Sequence, residues 1–154
     1  MPNLILATYS FADVFGAITG PGGSVAIGGQ NGNDEGGITI EAIEDINRLV
    51  TGADGSGMHV LNPTRSGRLT IRALKTSPIN VQLMNLQNYQ RSTSLRHGRN
   101  VATVTNPVTG DSYAFEGGAF ERVPNNTFAK DATALDWAIV FIAMYQTLGA
   151  GVSV

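Results

Sequence analysis

The chain has 154 residues, no cysteine and a formal charge of −2, with charged residues making up 14%. That length suits one domain over residues 1–154 with its own core, and the missing cysteines exclude a disulfide scaffold and a thiolate metal site and fit a cytosolic origin. An ordinary soluble domain carries about 25% charged residues, so this under-charged surface predicts an oligomer that hides much of it. The 19 glycines gather at 20–23, 28–37, 52–57 and 117–118, where the chain needs tight reversals. Between them, Thr8 to Thr19, Ser24 to Ile27, Ile38 to Ile43, Asn47 to Gly52 and Met58 to Leu61 read as strands. Arg68 to Lys75 alternates, with Leu69, Ile71 and Ala73 on one face and Arg68, Thr70 and Arg72 on the other, which predicts a half-buried strand. Ser77 as cap, Pro78, and Ile79, Leu83, Leu86 and Gln90 at helical spacing predict one helix, with Leu95 near its end and Gly98 as its stop. Asn100 to Thr105 and Tyr113 to Val123 read as a hairpin around Asn106-Pro-Val-Thr-Gly-Asp111. Ala134 to Leu148, rich in β-branched and aromatic residues, reads as a long strand buried on both faces, with a helix as the alternative. Together these elements make a mainly β sandwich or barrel with one flanking α-helix.

Charge is distributed in blocks along the chain. Residues 1–54 hold seven acids against Arg48, and residues 111–154 hold five acids against Arg122 and Lys130. Between Gly55 and Gly110 stand seven bases (Arg65, Arg68, Arg72, Lys75, Arg91, Arg96, Arg99) and no acid. If the blocks become faces, copies meet positive patch to negative patch; if the fold interleaves them, the blocks neutralise one another inside each subunit.

Catalytic signals are sparse, and no enzyme is predicted. His59 and His97 have no histidine or cysteine at metal-ligand spacing, so neither a metal nor a cofactor is expected. Neither a Gly-x-Ser-x-Gly elbow nor a phosphate loop occurs. Glu41, Glu44 and Asp45 read as a solvated acidic edge rather than paired catalytic carboxylates. Gln30 to Gly37 is rich in oxygen ligands but lacks the order of an EF-hand loop. Arg91, Arg96, His97 and Arg99 sit where cations favour a helix C-terminus, and a pI near 5.6 argues against a dedicated nucleic-acid binder. The longest apolar run, Trp137 to Tyr145, is too short to span a bilayer, so no membrane insertion is expected.

A glycine-rich β half with Ala26-Ile27-Gly28-Gly29, then Ser66-Gly67-Arg68-Leu69-Thr70-Ile71-Arg72-Ala73-Leu74-Lys75-Thr76-Ser77-Pro78-Ile79-Asn80, a leucine-bearing helix and a late strand with Trp137 resembles the tail tube proteins of contractile-tailed bacteriophages. The resemblance runs over most of the chain and is sharpest over residues 66–95. It implies the fold shared with Hcp-like secretion tubes, and a virion structural protein. Its subunits would close as hexameric rings and stack into a hollow tube that conducts DNA without sequence-specific binding. It also implies assembly in the host bacterial cytoplasm, with tail sheath, tape-measure, baseplate and tail terminator proteins as partners. An Hcp-like secretion tube, another tail component and a monomeric small-ligand-binding β-barrel are the alternatives.

Ring closure gives the charge blocks a use. Self-assembly is assigned to the acidic residues Asp34, Glu35, Glu41, Glu44 and Asp45 and to Arg68, Arg72 and Lys75 on the basic strand, and reversal of Arg68 and Arg72 is expected to stop assembly of a folded monomer. The loops Gly28 to Gly37 and Thr51 to Gly57 are expected to order only on the next ring. A DNA lumen is expected to avoid the basic residues and to present acids or neutral polar groups.

Overall fold

The computed structural model describes residues 8–29 and 33–150. Its strands are β1 (Phe15–Gly20), β2 (Gly23–Gly28), β3 (Asn33–Ala42), β4 (Asn47–Thr51), β5 (Gly57–Leu61), β6 (Gly67–Ala73), β7 (Asn100–Asn106), β8 (Asp111–Phe120) and β9 (Leu135–Thr147), with one helix, α1 (Ile79–Arg91). Seven strands form one antiparallel sheet in the order β2-β1-β7-β8-β9-β6-β3, while β4 and β5 pair only with each other. The sheet curls until its edges β2 and β3 touch, and α1 packs against β2 and β8. The mainly β fold with one flanking helix is as the patterning predicts, and of the sandwich or barrel it allows, the sheet curls into a half-barrel.

Alternation explains which side of each strand is buried. Leu69, Ile71 and Ala73 on β6 meet Trp137, Ile139 and Phe141 on β9, and all six are almost fully enclosed. Trp137 packs edge-on against Phe120 with ring centroids 6.0 Å apart, and Phe115 meets Phe141 at 4.8 Å. From α1, Ile79, Leu83 and Leu86 complete the core. Asn80 ties three elements together: its amide nitrogen donates to the Leu74 carbonyl at 2.9 Å, and its oxygen accepts from the Trp137 indole at 3.0 Å.

The buried Gln90 replaces a missing strand neighbour. Its oxygen accepts from the Phe120 backbone N–H at 2.9 Å and its amide nitrogen donates to the Phe120 carbonyl at 3.3 Å. Gln90→Leu strips both backbone groups of their partner, so it should cost about 2 kcal/mol. In a domain of this size that lowers the melting temperature by roughly 5 °C, measurable by circular dichroism.

Several expectations change. The first predicted strand is interrupted by a 3-10 turn at Phe11–Asp13, because the Ser10 hydroxyl accepts from the Ala12 N–H at 3.2 Å and reverses the chain there. The helix ends at Arg91, short of Gly98, and Leu95 lies beyond it, 79% exposed. Strand β9 is buried on one face only: Ala138 and Val140 are half-buried and Ile142 is 75% exposed, since no second layer of this chain covers that side. Thr51 to Gly57 is a closed hairpin tip rather than a loop awaiting a partner. There the Gly52 N–H donates to the Ser56 carbonyl at 2.7 Å, and Asp54 accepts from both the Ser56 N–H and its hydroxyl. The companion stretch Gly28 to Gly37 includes residues 30–32, outside the described residues, and enters β3 from Asn33 onward.

Those bonds to Ser56 hold the Asp54 carboxyl below the usual carboxylate range. A depressed carboxylate contributes order that is present above its unfolded pKa and lost as pH falls through the folded value. The Ser56 amide signal should therefore shift as pH drops below the ordinary range for aspartate, and Asp54→Ala should abolish that shift, as read by NMR titration.

Candidate assembly surfaces

The sheet order divides the exposed surface into two halves of different chemistry. On the β3-β6-β9 half, Arg68 lies between Glu41 and Glu121, with its guanidinium 2.6 Å from the first carboxylate and 3.1 Å from the second. Glu41 is its direct register partner on β3, and Arg72 stands opposite Asp136 on β9. The basic strand thus lies between neighbours contributed by the acidic flanks of the sequence. Here the interleaved reading of the charge blocks holds, and reversing Arg68 would also set three carboxylates side by side within one subunit.

The remaining predicted residues are spread around this half. Lys75 donates to the Thr127 carbonyl and its ammonium lies 4.5 Å from the centre of the Phe128 ring, pinning the coil at residues 121–134 across the end of β6. Glu44 and Asp45 are exposed in the elbow between β3 and β4. Asp34 and Glu35 lie along the backbone of β3, and their side chains are outside the described residues. The structure therefore brings Glu41 and Arg68 into contact and leaves the elbow pair exposed on a separate segment.

The other half is nearly charge-free. Strands β2, β1, β7 and β8 contain Asp111 and Glu116 and neither lysine nor arginine. Their outward positions align across the ladder: Ala26, Ala17, Thr103 and Ala114 form one row, and Ser24, Thr19 and Val101 form the next. The result is an exposed wall of mostly small neutral side chains, with the large Phe15 exposed beside Thr105 and Ser112 in the row beyond. Its signal was present in the alternation of each strand, but the β1-β2 and β7-β8 pairs are separated by more than 70 residues and only the sheet order unites them.

The hairpin β4-β5 stands apart from this sheet and is exposed along almost its whole length. Its register puts Val50 beside Met58 and Arg48 beside Val60 on one face, and Leu49 beside His59 on the other. Val50 and Met58 are exposed, as are Ile46 and Leu61 at its base. The His59 ring contacts Asn47 at 3.0 Å across the hairpin.

Among the described residues there is no cluster of His, Asp or Glu able to hold a metal ion, and no helix long and apolar enough to cross a membrane. A sheet with one wall free of lysine and arginine, one charged wall and an exposed apolar arm is a surface suited to packing against other copies. The sequence profile of the bacteriophage PhiTE tail tube protein matches residues 6–149. The chain belongs to this tail tube family. It is therefore a structural component of a phage tail, in a family of structural rather than catalytic proteins. No curated protein matches the sequence. Among solved structures, the sheath/tube terminator of the extracellular contractile injection system PVC aligns with TM-score 0.52 at 11% identity, over 94% of this chain and 99% of that one. A chain of the PVC sheath-tube complex, in the extended state, aligns with TM-score 0.53 at 9% identity, over 86% of this chain and 88% of that one. At such identity the likeness is one of fold, and it places the curled sheet and its helix among tube and terminator folds.

Proposed function

We propose that this chain is the repeating subunit of the tail tube, closing into hexameric rings that stack around a lumen through which DNA passes. The observation that carries the conduit is that the wall of β2, β1, β7 and β8 holds no lysine or arginine. Each phosphate neutralised by lysine or arginine releases counterions and holds the duplex. A wall of Ser, Thr, Ala and Val side chains with Phe15 and one outward carboxylate, Glu116, offers the phosphates no cation, so this wall faces the lumen in the assembled tube. The charged half of the sheet then faces away from the DNA.

The hairpin supports the ring. A two-stranded hairpin with no third strand is marginal alone, and its aliphatic side chains gain stability only against another surface. A neighbouring copy supplies that surface in a head-to-tail contact, which closes into a ring when the rotation permits. Sheath, tape-measure, baseplate and terminator proteins are the further partners, met during assembly in the host cytoplasm.

Because the chain has no cysteine, Thr103→Cys creates a single thiol on the proposed lumen wall. In assembled tubes this thiol should react with a small maleimide and be shielded from one carried on a polymer too wide for the channel. In free subunits both reagents should react. Equal reaction of the bulky reagent with tubes and free subunits would show that the wall faces outward.

A further inference from the structure

Folding neutralises some of the seven central bases and leaves others without an acid. Arg68 is paired with Glu41 and Glu121, as described above. The stretch from Arg91 to Arg99 is different: Arg91, Arg96, His97 and Arg99 are all exposed, and among the described residues none of them meets a carboxylate. Arg96 lies over the Tyr89 ring at 4.3 Å and bonds the Ser92 hydroxyl at 2.9 Å, and the Arg99 side chain donates to the Leu95 carbonyl at 3.3 Å. Those neutral contacts hold the guanidinium groups in place while leaving their charge uncompensated. The exposed elbow between β3 and β4 is the converse. Glu44 and Asp45 form no ion pair among the described residues, and they lie at the root of the apolar hairpin.

We infer that the basic patch at the C-terminal end of α1 docks on the acidic elbow, Glu44 and Asp45, of a second copy of this chain. The two surfaces are complementary in charge, and the fold keeps them apart within one subunit. The patch leads into β7 and the elbow follows β3; round the curled sheet, β8, β9 and β6 lie between those strands on one side and β1 and β2 on the other. Opposite patches on different parts of one subunit give a head-to-tail contact, and they orient the hairpin beside the elbow as copies approach. This contact rests on the tube reading and specifies which surfaces meet in it. Exposed charges more than a Debye length of about 8 Å apart are screened at physiological salt, so the contact should weaken as salt rises.

Two variants test it: Arg91→Glu with Arg99→Glu, and Glu44→Lys with Asp45→Lys. All four side chains are exposed, so each variant should keep the parent's thermal transition. Each alone should raise the concentration needed for assembly at least about tenfold, because like charges then face each other. Mixing the two variants should restore assembly, since each copy's reversed patch finds the other's reversed elbow. Sedimentation velocity and electron microscopy read the result. Parent-like assembly of the single variants, or a mixture no better than its components, would overturn the contact. If the parent forms no tubes yet the mixture associates more strongly than either variant alone, the contact stands and the tube reading falls. Binding of a DNA duplex by the parent, lost with the Arg91 and Arg99 reversal while self-association is unchanged, would reassign the patch to nucleic acid.

Discussion

Substituting Val50→Asp together with Met58→Asp should leave the subunit folded and abolish its assembly. The two side chains are direct register partners on one face of the β4-β5 hairpin, and neither belongs to the core. Within a single copy they already meet water, so replacing them removes little that stabilises the fold, and the melting temperature should stay within about 2 °C of the parent. Against a neighbouring copy the balance is different. Burying each aliphatic side chain contributes roughly 1.5–3 kcal/mol, and burying an unpaired carboxylate in its place carries a further penalty. Every subunit of a ring repeats the loss, so the effect should be all-or-none in sedimentation velocity. Parent-like assembly of a folded double variant would show that the hairpin is not the arm that joins subunits.

Trp137→Ala should have the largest effect on the subunit itself. Trp137 is 1% exposed, packs edge-on against Phe120 and donates its indole N–H to Asn80. Truncation leaves a cavity in the β6-β9 core and removes the tie between β9 and the start of α1, at a cost of about 3–5 kcal/mol. At 2–4 °C per kcal/mol for a chain of this size, the melting temperature should fall by about 10 °C. Trp137→Phe keeps most of the ring volume but loses the indole N–H, and it should fall between the two. Because Trp137 is the single tryptophan, the comparison is made by circular dichroism rather than fluorescence. A fall of only a degree or two would mean that the surrounding side chains collapse into the space.

These effects follow from features that were unequally visible in the sequence. The half-buried character of β6 was legible residue by residue, because burial of Leu69, Ile71 and Ala73 needs only the period of a strand. The helix stripe was equally plain, although Leu95 fell outside it: the chain leaves the helix at Ser92, whose hydroxyl bonds the Tyr89 carbonyl. Strand β9 shows a limit of such reading. An apolar run looks the same whether its second face is covered by its own chain or by another copy, so the exposed Ile142 could not be foreseen. The hairpin tip was misread because glycine-rich composition signals a reversal and says nothing of the bonds that Asp54 makes across it. Charge was the least legible property. The sequence separates acids and bases into blocks, but pairing Arg68 with Glu41 and Glu121 requires the order β9-β6-β3, which depends on crossovers rather than on local pattern.

On this account, copies of this chain build a hollow tube whose inner wall is the face of β2, β1, β7 and β8, which holds no lysine or arginine. Electron microscopy of the purified protein, concentrated at low and at moderate salt, tests it most directly. Stacked rings with an open channel, and an inner wall into which those four strands fit with Thr103 facing the lumen, are the predicted result. Monomers persisting at every concentration, or a tube whose channel is lined by Arg68 and Arg72, would contradict it.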